Sequence, residues 1–146
     1  MAYIPRKYIA GLTEAEKSQR IRRIRQGSKT HHRDPKAYRP FKTDKGKKVR
    51  TSSYTVRFRK KYGADAKSLP QKSKATKIPY RIIKKVYNRG LAAWRTGHRP
   101  GASQQAWGHA RVASFALKGK TYYTADSDLA AELRKIIKRR TSSARK

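Results

Sequence analysis

The chain has 146 residues and sets 40 Lys and Arg against 8 Asp and Glu, a formal net charge of +32. Hydrophobic residues make up 36% of it, below the about 45–50% of an ordinary globular domain, so the expectation is one domain with a small core. There is no cysteine, which excludes a disulfide framework and a thiolate metal site, and no apolar run reaches the about 18 residues that a membrane-crossing helix needs.

Solubility asks for a net charge of only about 2–8 on a small domain. Self-repulsion at +32 opposes a compact state unless a partner neutralises it. Nucleic acid is the commonest such polyanion, and an anionic membrane surface comes second. Between Asp65 and Asp126 there are 13 Lys and Arg and no carboxylate. The first residues, MAYIPRKYIAGLTEAEK, lack the apolar stretch of a secretory signal, so a life inside a cell or a particle is expected.

In chain order, residues 1–12 read as an extended lead-in. Thr13 and Glu16 form a capping box, and Gly27 is read as the stop of a helix over 14–26. In that helix Arg20, Arg22, Arg23 and Arg25 surround the pair Ile21 and Ile24, so it is expected to lie on a partner. Residues 28–52 show no period and are broken by Pro35, Pro40 and Gly46; they read as an extended basic arm. Ser53 as N-cap and Gly63 as stop frame a helix carrying Tyr54, Phe58 and Tyr62.

Ser68 caps a short helix over 69–75, with Pro70 in its first turn. Thr76-Lys77-Ile78 makes a turn, and Pro79 opens a helix to Asn88 with Ile82, Ile83, Val86 and Tyr87 on its apolar side. Gly90 allows a bend before a last turn at 91–94. His98-Arg99-Pro100-Gly101 is a turn by composition. Ser103 caps a helix over 104–117 with Ala106, Trp107, Ala110, Ala113 and Leu117 inward. Residues 120–124 read as extended. Leu129, Leu133, Ile136 and Ile137 form the clearest amphipathic stripe, on a helix over 128–140, followed by a frayed basic tail.

The run from Ser68 to Tyr87 has helix-turn-helix spacing. Tyr80, Arg81, Lys84, Lys85 and Asn88 then share the outer face of the second helix, where donors and cations suit base edges and phosphates. The plainer alternative is an ordinary helix pair with a solvated basic face. Tyr38, Phe41, Tyr54, Phe58, Tyr62, Tyr80 and Tyr87 lie among the cations and could stack on bases; for Phe58, Tyr62 and Tyr87 anchoring onto protein is the preferred reading. An enzyme would have to be built from His98, His109, Asp126 and Asp128. No nucleophile elbow, paired metal-ligand spacing or Gly-rich phosphate loop accompanies them, so His98 is read as a brace for its turn and Asp126 or Asp128 as a helix cap.

Four stretches, YIPRKYIAGLTEAEKSQRIRRI, SSYTVRFRKKYG, KIPYRIIKKVYNRGLAAWRTGHRPGASQQAWGHARVASF and TYYTADSDLA, resemble an uncharacterised basic domain family of large double-stranded DNA viruses of algae and amoebae and of some tailed phages. The run from Asn88 to Ser114 is the most specific part, and Lys77 stands where the resemblance implies Gly. What the resemblance implies is context: a viral protein packaged in the particle.

The expected architecture is mainly α: a basic extended arm over 1–67 with one or two isolated helices, a helical domain over 68–140 with a helix-turn-helix-like pair, and a basic tail over 141–146. The expected function is that of a non-enzymatic minor structural protein of a virus particle. It would be made in the host cell interior, would bind other virion proteins, nucleic acid or another polyanion, and an anionic membrane surface, and would use no cofactor or small-molecule substrate. The alternatives are a genome-condensing DNA-binding protein and, last, a nuclease-like enzyme. The residues expected to carry polyanion binding are Arg20, Arg22, Arg23, Arg25, Tyr80, Arg81, Lys84, Lys85 and Asn88.

Overall fold

A computed structural model describes residues 4–144, and the chain is mainly α, with no strand among the described residues. The helices are α1 (Glu14–Lys29), α2 (Ser53–Tyr62), α3 (Leu69–Thr76), α4 (Tyr80–Trp94), α5 (Gln104–Ala116), α6 (Lys120–Tyr123) and α7 (Ser127–Ala144), with single 3₁₀ turns at Arg6–Tyr8, Pro35–Tyr38 and Lys42–Asp44. No described helix is long and apolar enough to cross a membrane.

Capping is local and follows the expected chemistry. Thr13 Oγ1 accepts from the Glu16 N–H while Glu16 Oε1 accepts from the Thr13 N–H, a complete capping box on α1. Ser68 and Gln71 repeat the device on α3. On α2 the cap is Ser52, which accepts from the Tyr54 N–H, one residue earlier than expected.

By its contacts the chain divides into two compact units, 1–50 with 89–108, and 51–88 with 109–146. The division does not fall between 67 and 68. The two helices expected within residues 1–67 are α1 and α2, and the stretch 28–52, read as extended, holds 3₁₀ turns at Pro35–Tyr38 and Lys42–Asp44. Apolar residues in 1–67 are few, but they converge: in the first unit Ile24, Phe41 and Trp94 form a buried cluster against which Ile4, Tyr8, Tyr38 and Trp107 pack. A sparse sequence thus folds onto the tryptophans of a distant segment. We call this the aromatic unit.

The second unit is aliphatic. Ile78, Ile82, Ile83 and Val86 meet Val112 and Phe115 of α5, Tyr122 of α6, and Leu129, Ala130 and Leu133 of α7. Burying each large apolar side chain is worth about 1.5–3 kcal/mol, so this cluster is the main apolar term in the unit. On α5 Ala113 is buried as expected and Val112 and Phe115 take the centre of this unit; Ala106 is exposed, and Trp107, half-buried, packs in the aromatic unit. Residues 120–124 are not extended: they hold the short helix α6, which buries Tyr122. Ile137 stands 48% exposed at the edge of the α7 stripe. The tail expected from Thr141 continues α7 to Ala144; Arg145 and Lys146 lie outside the described residues.

Two glycines act differently from their sequence reading. Gly27 does not stop α1, which runs on to Lys29. It is buried, and a Cβ there would collide with the Arg95 carbonyl oxygen, so its role is close approach of two backbones. Gly90 makes no bend; α4 passes through it unbroken.

Candidate nucleic-acid interface

Charge in this chain is sorted by burial. Arg20 is fully buried. Its Nε donates to the Tyr8 carbonyl (2.5 Å), its NH1 to Thr43 Oγ1 (2.7 Å) and Asp44 Oδ1 (2.8 Å), and its NH2 to the His98 carbonyl (2.6 Å). Asp44 also meets His98 Nε2 through Oδ2 (2.6 Å) and accepts the Gly101 N–H through Oδ1 (2.9 Å). Burial alone would raise the Asp44 carboxyl; the hydrogen bonds from His98 and Gly101, with the charges of His98 and Arg20, outweigh it and hold the carboxyl below its ordinary range. His98 itself is fully buried, stacked on Trp94 with ring centroids 4.3 Å apart, and its Nδ1 lies 2.9 Å from the Trp94 carbonyl. Arg20 is therefore not a polyanion contact: its donors are engaged inside the aromatic unit.

Five of the other seven carboxylates have partners that the structure places. Asp126 is fully buried and takes the Arg111 fork in two bonds of 3.0 and 2.8 Å. Glu14 pairs with Lys17, Glu16 with Lys47, and Glu132 with Arg81. The Arg81 hydrogen bond lowers the Glu132 carboxyl. Asp34 caps the Pro35–Tyr38 turn through the Lys36 N–H.

The remaining cations of the expected set are exposed except Arg23. Arg22 and Arg25 are exposed on α1. Arg23 is half-buried, its guanidinium 4.3 Å from the Phe41 ring centroid, with NH2 donating to the Ala37 and Arg39 carbonyls. On α4 the apolar side takes Ile82, Ile83 and Val86 inward and leaves Tyr80, Arg81, Lys84, Lys85 and Asn88 all exposed. The α1 arginines belong to the aromatic unit and the α4 face to the aliphatic one.

The turn between α3 and α4 has the left-handed residue that a tight helix-to-helix turn needs. Lys77 sits at φ 62°, ψ 19°, where Gly is the easy choice. The lysine is tolerated because its surroundings hold it: Ser73 Oγ donates to the Ile78 carbonyl, the Ile78 N–H donates to Thr76 Oγ1, and Arg140 donates to the Lys77 carbonyl.

Sequence reasoning gave no role to Lys72. It is buried in the aliphatic unit, with Nζ 2.8 Å from His109 Nδ1 and 5.4 Å from the Phe58 ring centroid. Burial, with the charge of Arg59, lowers its ammonium to about 8. Burial and the Lys72 charge lower His109 as well, and its ring packs on Tyr87. No helical period marks a lysine for the interior, so nothing in the sequence pointed to it. Among the described residues no group of three or more His, Asp and Glu side chains is placed to hold a metal ion.

A family model spans residues 5–134, nearly the whole chain. The chain belongs to the family of unknown function DUF5824. The DUF5824 match takes in α1, the Lys77 turn and the exposed α4 face, and stops within α7. No curated protein and no solved structure matches the chain.

Proposed function

We propose that this protein is a non-enzymatic structural component of a large DNA virus particle, a basic chain that binds acidic surfaces and helps hold the assembly together. The observation that carries the reading is where the carboxylates are spent. Asp44 and Asp126 serve interior arginines, Glu14, Glu16 and Glu132 already hold a cation, and Asp34 caps a turn. The surplus of +32 is left to a polyanionic partner, whose counterions are released when lysines and arginines replace them. The viral context rests on the resemblance of the four quoted stretches. The engagement of His98 and the pairing of His109 with Lys72 support structural rather than catalytic work for both histidines.

A second reading, a DNA-binding module, is favoured by one observation: the left-handed Lys77 turn leads into a helix whose outer residues Tyr80, Arg81, Lys84, Lys85 and Asn88 are all exposed. Its base-reading form is weakened by the pairing of Arg81 with Glu132. The decisive experiment is gentle disruption of purified particles of the encoding virus, followed by quantitative mass spectrometry of shell and genome fractions. The structural reading expects the chain with the shell, the DNA-binding reading expects it with the genome, and absence from the particle sinks both.

A further inference from the structure

An open groove of about 460 Å³ runs along α1 in the aromatic unit. One wall is a single helix face, with Gln19, Arg22, Arg23 and Gln26 at helical spacing and Thr30 at the C-cap, and the other is the segment from Asp34 to Thr43. Eleven residues of helix give that wall a length of about 16 Å. Arg22 and Arg23 face Lys36, Arg39 and Lys42 across it. Opposing these five cations is Asp34, whose Oδ1 already accepts the Lys36 N–H.

The floor is rigid. Buried Arg20 ties Thr43 and Asp44 to α1, and Phe41 is fixed beneath the Arg23 guanidinium. The rim is not tied. Arg22, Lys36, Arg39 and Lys42 make no side-chain hydrogen bond or ion pair among the described residues, whereas the exposed Arg81 and Lys17 do. Arg23 is partly stripped of water and repelled by Arg39, an arrangement that an anion lying between the two would relieve. Two unpaired arginine forks flanking a long narrow opening suit phosphate oxygens, which accept planar bidentate contacts.

From this geometry we infer that the α1 groove is a binding site for the phosphodiester backbone of single-stranded nucleic acid. This rests on the polyanion reading above and names its ligand. A single strand can lie along an opening of this size, whereas a duplex can only touch its rim. The side chains lining the opening are charged or polar apart from Pro40, and Phe41 lies covered by Arg23, so the contacts are to phosphates, which carry no sequence information.

The test compares two charge-matched variants of the full chain. Arg22→Gln/Arg39→Gln empties the groove rim, and Lys135→Gln/Lys138→Gln removes two exposed cations from α7. Affinity for a 15-residue oligothymidylate, a duplex of equal length and a polyglutamate peptide is read by fluorescence anisotropy across a salt series. Loss of two phosphate contacts at a single-strand slope of about 0.7 each costs about tenfold at 0.15 M salt and flattens the salt dependence by about 1.4. The groove variant is expected to show this for oligothymidylate and to change duplex affinity less than threefold; the α7 variant is expected to change both by less than threefold. Equal losses for the two variants, or a groove loss as large for duplex or polyglutamate, overturns the single-strand site and leaves the polyanion reading standing. If the unaltered protein binds none of the three probes, the polyanion reading itself falls.

Discussion

The two units reach stability by opposite routes. The aliphatic unit closes around Ile82, Ile83, Val86, Phe115 and Leu129, the ordinary solution in which area removed from water does the work. The aromatic unit has three residues in its buried cluster and organises itself around a buried ion network, Arg20, Asp44 and His98, capped by the faces of Phe41 and Trp94. Such a network is a poor source of net stability but a demanding source of specificity, because removing one member leaves its partners' polar groups without compensation. A chain short of apolar residues and rich in arginine can still fix one arrangement this way.

The largest expected effect breaks the network. Arg20→Met takes the arginine from partly buried Asp44 and the donor from the Tyr8 and His98 carbonyls, and is expected to destabilise the aromatic unit by about 3–5 kcal/mol. Denaturant unfolding followed by tryptophan emission reads it, since Trp94 and Trp107 both lie in that unit. A change under about 1 kcal/mol would mean that the network is ornamental. In the other unit, Ile83→Ala is expected to cost about 2–4 kcal/mol through lost burial and the cavity left behind, followed by far-ultraviolet circular dichroism. A cost no greater than that of a surface substitution would contradict the aliphatic core.

A smaller effect tests the close approach at Gly27. Helix propensity alone makes Gly→Ala favourable by about 1 kcal/mol. The overlap of the new Cβ with the Arg95 carbonyl is expected to reverse the sign, giving a net loss of about 1–3 kcal/mol. A more stable Gly27→Ala variant would show that the two backbones can separate freely.

The smallest concerns Lys72. Its folded value of about 8 lies below the ordinary 10.5, so burial of its ammonium opposes folding in full below pH 8. The penalty is relieved as pH rises from 8 to 10.5, and stability should climb over that window. Lys72→Met is expected to stabilise the aliphatic unit by about 1–2 kcal/mol at neutral pH, the shift being discounted for nearby solvent, and to remove the climb. The contrary outcome is an unchanged pH profile in the variant.

Much of the aliphatic unit was legible in the sequence, because its signals are periodic. The stripe of Leu129, Leu133 and Ile136, the apolar side of α4, and the cap at Ser68 are all local patterns, as is the Thr13 cap of α1 in the other unit. The outer face of α4 followed from the same phase, and all five of its residues are exposed. The aromatic unit was not legible. Tyr8, Phe41 and the neighbouring pair Trp94 and His98 are far apart in the chain, and their meeting involves Arg20, which by composition reads as one more surface cation. Gly27 and Gly90 read as stops or bends because sequence shows what a glycine permits, not what presses against it. Lys36, Arg39 and Lys42 became a groove wall only once the segment from Asp34 to Thr43 was seen to fold back on α1.

The most direct test of the central claim is the salt dependence of nucleic-acid affinity for the unaltered protein. Association constants for a 20-base-pair duplex, measured between about 50 and 200 mM salt, are expected to fall linearly on logarithmic axes with a slope near −0.9 for each phosphate neutralised. A slope of about −4 or steeper would fit several lysines and arginines acting together. An affinity that stays flat across that range would contradict the claim that the surplus charge serves a polyanion.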